Sequence, residues 1–390
     1  MKKALVVGGN SGIGLALTVG LLDRGYDRIY VAGKDLPSVD DVPSDKRVLF
    51  EERVSAETVN FVNQEYGFLD GKEDIDTLII TAGFGRVAPF ECLTDAEITN
   101  LVKCNMLAAM RIIGRYYKRM QGDEGFYCAV MGSIAGHIAS PMFSVYGATK
   151  SGLCSFIENL NVELKCSGSP NRILDVSPGS LKGTNFGGGG NDISLVSGVA
   201  EEILSRMYAK DTLFIPQYDE VYRGVVERYC ADPEKFGAES YEYKKKSGRE
   251  SDKPQVVVGY LSGTFDLFHI GHLNLLRRAK QHCDYLIVGV HESGSWKGKQ
   301  TFIPYEERLA IIESIKYVDM AVKSFTEDSD AYDAYHFDRL FVGSDYKGTE
   351  RFNRYEEYFK DKGVEIVYFS YTQGTSSTQL RDAISSKTGK

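Results

Sequence analysis

At 390 residues the chain is longer than one typical hydrophobic core supports, which predicts two domains, each to be searched for its own chemistry. A formal charge of −8, with neither a basic tract nor a polybasic tail, excludes a general binder of nucleic acid or membrane surfaces. Seven scattered cysteines without Cys-x-x-Cys or metal-ligand spacing, and the lack of any apolar run of about 18 residues, predict a reduced, soluble, cytoplasmic protein.

Ala4-Leu5-Val6-Val7 reads as a buried strand, Gly8-Gly9-Asn10-Ser11-Gly12-Ile13-Gly14 as the turn after it, and Leu15 to Leu22 as a helix. That is the order a dinucleotide site requires, and glycine is needed because a β-carbon would hold a pyrophosphate off the backbone and the helix off the strand. Further on, Ser133 precedes Tyr146 by thirteen residues, and Lys150 follows Tyr146 by four. A tyrosine one helical turn ahead of a lysine shares its face, and the ammonium is expected to lower the phenol pKa toward neutrality. These two spacings resemble the catalytic pattern of the short-chain dehydrogenases/reductases, and the resemblance implies that Tyr146 exchanges a proton with a carbonyl oxygen while nicotinamide exchanges the hydride, with Ser133 hydrogen-bonded to the same oxygen.

The glycine spacing and the Ser133, Tyr146 and Lys150 pattern resemble those of the short-chain dehydrogenases/reductases. Asn105, in Lys103-Cys104-Asn105-Met106, stands where that family carries the fourth member of its catalytic tetrad. The resemblance implies cofactor contacts at Gly8, Gly12, Ile13, Gly14, Ala82 and Gly83, and at the nicotinamide-side pair Pro178-Gly179. Lys34, leaving the expected second strand, points to NADP over NAD because a basic residue there would accept a 2′-phosphate, although Asp35 is adjacent. The family pattern is broken at Ile80-Thr81, at Val7, and after the third strand, where Arg53 stands in place of an acidic residue unless Glu52 substitutes. Gly187 to Gly190 reads as a substrate lid or as a plain loop.

Residues 231–254 are rich in Lys, Glu, Ser, Gly and Tyr without helical or strand period, and read as a linker in which Lys244-Lys245-Lys246 is a solvated charge run. The expected division is therefore 1–230, linker 231–254, and 255–390. From Gln255 onward, strands at Val256 to Tyr260, Tyr285 to Val290, Leu340 to Val342 and Val364 to Phe369 alternate with helices at Leu273 to Gln281, Tyr305 to Ser314 and Tyr355 to Lys362. That alternation predicts a second, smaller parallel sheet with its site at the strand C-termini.

Gly263-Thr264-Phe265-Asp266-Leu267-Phe268-His269-Ile270-Gly271-His272 lies between the first of these strands and the first helix. Such a loop offers backbone N–H groups at a helix N-terminus, where a phosphate is favoured. His269 and His272 are three apart, so in a helical turn they face one bound group and can each donate an N–H to charge developing on an α-phosphate. The string resembles the signature of the cytidylyltransferase branch of the HxGH nucleotidyltransferases, and the resemblance to glycerol-3-phosphate cytidylyltransferases extends over nearly all of Val256 to Ile384.

That resemblance implies CTP contacts at Thr264, Phe265, Asp266, Lys297, Lys299, Arg308, Asp345, Thr375, Ser376, Ser377 and Thr378, with Mg²⁺ neutralising the triphosphate. Tyr371 stands where the family has Arg ahead of Thr372-Gln373-Gly374, so the alcohol phosphate can differ from glycerol 3-phosphate. The fold expected is α/β, with two doubly wound parallel-sheet domains, a Rossmann-type reductase and a smaller nucleotidyltransferase. The function expected is NADPH reduction of a keto- or aldo-sugar phosphate to a polyol phosphate, then coupling to CTP to give a CDP-polyol and pyrophosphate for a surface polymer. Alternatives are a reductase acting on a CDP-linked product, another phospho-alcohol or phosphonate as acceptor, and a nucleotide-sensing scaffold. A homo-oligomer, dimer or tetramer, is expected, with no nucleic acid or membrane partner.

Overall fold

The first half of the chain builds one parallel sheet from β1 (Lys3–Val7), β2 (Arg28–Gly33), β3 (Val54–Thr58), β4 (Thr77–Ile80), β5 (Tyr127–Met131), β6 (Ile173–Val176) and β7 (Leu213–Phe214), in spatial order β3-β2-β1-β4-β5-β6-β7. This computed structural model describes residues 1–184, 186, 191–248, 250–251, 256–293 and 301–370. The chain divides into two units, Met1–Gln255 and Val256–Lys390. In the first, alternate side chains of β1 serve two cores: Ala4 and Val6 join Ile29, Val31 and Ile79 on one face, and Leu5 and Val7 join Leu78, Ile80 and Val130 on the other. A period of two, apolar on both phases, is what a strand covered by helices on both faces demands. Strand order reverses between β1 and β4, which opens a crevice at the C-terminal strand ends.

Two local readings of this half are corrected. The third strand occupies Val54–Thr58, so Glu52 and Arg53 precede it, closing the helix Arg47–Arg53, and Val59 and Asn60 come after the strand. The error has a physical source: β3 is an edge strand with half-exposed side chains and presents no apolar run. Residues 231–254, expected to be irregular, contain the helix Pro233–Lys246. Asp232 caps it by accepting from the Lys235 N–H, Pro233 suits its first turn, and Lys244 to Lys246 complement its C-terminal dipole. Of its side chains Phe236 is buried, so apolar periodicity carried no signal.

The second unit is a parallel sheet of β8 (Val258–Gly263), β9 (Tyr285–Val290), β10 (Met320–Lys323), β11 (Arg339–Gly343) and β12 (Glu365–Phe369), in order β10-β9-β8-β11-β12. Again the order reverses beside the first strand, between β8 and β11. β10 and the helix Asp328–Tyr335 were not expected, since β10 is an edge strand with partly exposed side chains and the helix is short and acidic. Among the described residues no helix is long and apolar enough to cross a membrane.

Candidate active sites

A cleft of about 1210 Å³ follows the C-terminal ends of β1, β4, β5 and β6 and is lined by the glycine turn on one side and by Ser133, Tyr146 and Pro178 on the other. Single small-ligand pockets run to roughly 300–1,000 Å³, so a dinucleotide and a second small molecule fit together. Gly8 has φ +88°, and a β-carbon there would stand 2.5 Å from the Ala82 nitrogen; one on Gly14 would stand 2.1 Å from the Gly8 carbonyl oxygen. No other residue closes this turn without moving β4 or the helix Gly12–Asp23. The Gly12 N–H donates to Asn191 Oδ1 (2.6 Å), and the Asn191 amide donates to Asp41 (2.6 Å). Ile13 lines the same wall, and Lys34 is exposed at the lip beyond β2. At the opposite wall the Pro178 carbonyl accepts from the Ile134 N–H (3.0 Å), and Tyr222 lies against Gly179 so closely that a β-carbon could not be accommodated. Nothing in the sequence pointed to Tyr222 or Asn191.

Of the four residues expected to act on a carbonyl, Ser133 and Tyr146 line this cleft, and Asn105 and Lys150 are buried beside Gly83 of its wall. Asn105 sits in a π-helical turn, Lys103–Leu107, that interrupts two α-helices and turns its side chain inward. Its Nδ2 donates to the Phe84 carbonyl (2.8 Å) and its Oδ1 accepts from the Phe84 N–H (3.0 Å), which holds the segment after β4 in place. A β-carbon on Gly83 would stand 3.2 Å from Asn105 Oδ1 and 3.4 Å from Lys150 Nζ, so the three positions are in contact. Tyr146 and Lys150 share one face of the helix Ser144–Cys166, both buried. Ser133 hydrogen-bonds the Tyr146 phenol, and its Oγ also accepts from the Ala135 N–H (3.2 Å).

The expected lowering of the phenol pKa is absent. Burial pushes Tyr146 up to about 12, against a smaller opposing effect of the Ser133 hydrogen bond. Burial likewise brings Lys150 down to about 8. The Lys150 ammonium donates to the Met131 carbonyl (2.7 Å) and lies 5.8 Å from the Tyr146 ring centroid. Desolvation of the neutral-preferring phenol outweighs a cation held on another oxygen.

Below this site His137, Cys154 and Asp175 offer ligand atoms within 4.8 Å of one another. The buried Ser177 hydroxyl sits among them, donating to Asp175 Oδ1 (2.8 Å) and lying 2.9 Å from His137 Nε2 and 3.7 Å from the Cys154 sulfur. Because that hydroxyl occupies the shared space, the group is a polar brace between β6 and the turn that carries Ser133. Scattered through the sequence, these residues gave no spacing to read.

In the second unit the helix after β8 begins at Ile270 rather than at Leu273, because His269 is its N-cap: His269 Nδ1 accepts from the Gly271 N–H (3.0 Å). The His272 N–H goes to the His269 carbonyl (3.0 Å). The Gly271 and His272 N–H groups are therefore spent inside the turn. The imidazoles take over: with Nδ1 accepting, neutral His269 carries its proton on Nε2. The two rings stack with centroids 4.0 Å apart, as the three-residue spacing predicts. Desolvation lowers the pKa of His269, and that of His272 down to about 4 with His269 as a second cause, so both rings are neutral at pH 7. The buried His272 Nδ1 has no hydrogen-bond partner among the described residues. Two non-glycine residues of the loop, Phe265 (φ 52°) and Leu267 (φ 50°), hold the left-handed conformation, a local strain that functional loops retain.

The residues expected to touch CTP are placed as follows. Arg308 is fully buried, and its guanidinium donates to the carbonyls of Ile303, Thr264, His291 and Glu292, so it braces the histidine loop from beneath. Asp266 is buried with its carboxylate accepting from the N–H groups of Phe302 (3.1 Å) and Ile303 (3.0 Å). Phe265 packs in the core with its ring 5.4 Å from that of His272. Thr264 is half-buried, its carbonyl held by Arg308, and Asp345 is exposed just beyond β11, across the strand-order reversal. Lys297, Lys299, Thr375, Ser376, Ser377 and Thr378 lie outside the described residues, as do Gly187 to Gly190.

The short chain dehydrogenase family matches residues 2–189, and the cytidylyltransferase-like family matches residues 260–386. Over 138 residues the chain is 35% identical to the glycerol-3-phosphate cytidylyltransferase of Staphylococcus aureus, a match that spans 34% of this chain and 98% of that one. The second unit belongs to the cytidylyltransferase family, and the first unit carries the short chain dehydrogenase match. The reductase unit is also 29% identical over 185 residues to a short-chain type dehydrogenase/reductase of Sinorhizobium fredii, covering 46% of this chain and 70% of that protein. Among solved structures, a short-chain dehydrogenase from Sphingobium yanoikuyae in complex with NADPH is 23% identical with a TM-score of 0.47, covering 60% of this chain and 96% of that one. The chain is thus an oxidoreductase domain followed by a cytidylyltransferase domain.

Proposed function

We propose that the reductase unit uses NADPH to convert a keto- or aldo-sugar phosphate to a polyol phosphate, and that the cytidylyltransferase unit couples this product to CTP, releasing pyrophosphate and a CDP-polyol for a surface polymer. The observation that carries the reading is the placement of two constellations in one chain: Ser133, Tyr146, Lys150 and Asn105 at the strand ends of one sheet, and His269 with His272 at those of the other.

The glycine turn, closed to any side chain, suits a dinucleotide pyrophosphate, and Lys34 at the lip suits a 2′-phosphate. When bound, the nicotinamide supplies the hydride. Tyr146, protonated at neutral pH, gives its proton to the carbonyl oxygen, and Ser133 hydrogen-bonds that oxygen so that the developing alkoxide never stands unsolvated. Lys150, positively charged below about pH 8, stabilises the phenolate left behind. In the second unit the polyol phosphate attacks the α-phosphate of CTP directly, with Mg²⁺ entering as the counter-ion of the triphosphate substrate. His269 and His272 meet the new negative charge with N–H donors; Arg308 and Asp266 hold the loop that positions them. The cytoplasm, where CTP and NADPH are both made available, is the compartment this reading requires, and a homo-oligomer the expected state.

Incubating the full chain with CTP, Mg²⁺, NADPH and a panel of ketose and aldose phosphates, with products read by mass, tests the reading. A CDP-polyol two hydrogens heavier than the corresponding CDP-sugar is expected. A CDP-linked carbonyl compound formed first and reduced afterwards would reverse the proposed order. Lys34→Ala is expected to weaken NADPH much more than NADH.

A further inference from the structure

We infer that Lys244 is the specificity residue by which the reductase unit selects a phosphorylated substrate, an inference that rests on the sugar-phosphate reading above. The helix Pro233–Lys246 and the residues after it are not a passive connector: Tyr243, Lys244, Gly248, Glu250 and Ser251 line the same cleft as Ser133 and Tyr146. Their backbone is tied down on the substrate side, where Glu250 bridges to Val87 and the Ser251 carbonyl accepts from Arg86.

Lys244 is half-buried there. Its ammonium donates to Ser140 Oγ (2.7 Å) and to the Pro141 carbonyl (2.6 Å) and stands 5.2 Å from the Phe143 ring centroid. The Phe143 ring in turn packs 5.0 Å from the ring of Tyr146. The two neutral oxygens and the aromatic face hold a positive charge on the cleft wall one ring beyond the proton donor. That distance suits a phosphate several carbon–carbon bonds from the reacting carbonyl.

The other cations lining the cleft among the described residues are placed for different tasks. Lys34 is at the far lip, past β2, where the glycine turn sets the cofactor's adenosine end. Arg86 is buried, its guanidinium bidentate to Glu97 (2.6 and 3.0 Å). The neighbours of Lys244 point elsewhere: Lys245 lies 4.9 Å from the Tyr241 ring centroid and Lys246 is 3.9 Å from Glu242. Within Lys244-Lys245-Lys246, read from sequence as a solvated run, the first lysine alone lines the cleft.

The test is steady-state reduction by the full chain at saturating NADPH, with a ketose phosphate and the matching unphosphorylated ketose. Lys244→Gln is expected to raise KM for the phosphate ester about 10- to 100-fold, the usual effect of removing a charged hydrogen-bond donor. Its kcat, its KM for NADPH, its activity on the free ketose and its cytidylyl transfer should change little. Lys244→Arg should recover part of the loss, and Lys245→Gln should resemble the parent. A Lys244→Gln variant that keeps the preference for the phosphate ester overturns the inference alone, as does one that loses both substrates equally, which marks a structural role. A parent enzyme with no preference for the phosphate ester overturns the sugar-phosphate reading and this inference with it.

Discussion

His272 and Lys150 are both proposed to act, and burial works against the charged form of each. The unfolded imidazole has a pKa near 6.5 and burial brings the folded His272 down to about 4, so between these values the unfolded chain binds more protons. The stability contributed by the neutral ring is therefore complete above pH 6.5 and is lost as pH falls toward 4, by an amount on the order of 3 kcal/mol. In His272→Gln the acid-side loss of unfolding free energy, measured by urea titration of the full chain, is expected to shrink by that amount; an unaltered slope would mean the ring is solvated. Losing one preorganised donor typically costs roughly 10²–10³ in rate, so His269→Ala and His272→Ala should each slow cytidylyl transfer by that factor at saturating CTP and leave reduction untouched. Trapping a covalent cytidylyl-histidine would sink the donor role. For reduction, Tyr146 stays protonated across the working range, so the rate should fall above about pH 8 as Lys150 loses its charge. Lys150→Arg, which keeps the charge, should carry that limb to higher pH, and a limb that stays in place would assign it to another group.

At the scale of single elements, the helix Asp95–Val102 shows how much one cap can carry. Thr94 and Glu97 form a reciprocal capping box, and the Glu97 carboxylate is also buried against Arg86. Arg86→Met strands that carboxylate in the interior, and a loss of about 3–5 kcal/mol in unfolding free energy is expected, as for other broken buried pairs. Replacing both partners, Arg86→Met with Glu97→Gln, should recover a substantial part; a double variant no better than the single one would show that the pair is not what matters there. The elements legible in the sequence were those with a complete local signature: the glycine turn between β1 and its helix, the Tyr146–Lys150 helix, the wholly buried β9. Those that escaped, β3, β10 and the helix Pro233–Lys246, lie at sheet edges or carry a single buried anchor, and their apolar pattern is too thin to separate from a loop.

Across the whole molecule, each proposed site draws its described residues from one unit, which is why the two activities should be separable. Tyr146→Phe is expected to abolish carbonyl reduction and to leave cytidylyl transfer from a supplied polyol phosphate nearly intact; equal loss of both in a folded variant would refute independent sites. Period and spacing along the chain account for two parallel α/β sheets, a turn that tolerates only glycine, Tyr146 and Lys150 on one helix face, and His269 against His272. How each group is spent follows from the packing of segments far apart in the chain. Arg308 and Asp266 turn inward to brace a loop, the Gly271 N–H goes to His269, the phenol of Tyr146 rises where its neighbour was expected to lower it, and Lys244 enters the cleft. Spacing is a property of neighbours along the chain, but burial, hydrogen-bond partners and the pKa values they set depend on which distant segments pack together, and no local pattern encodes that.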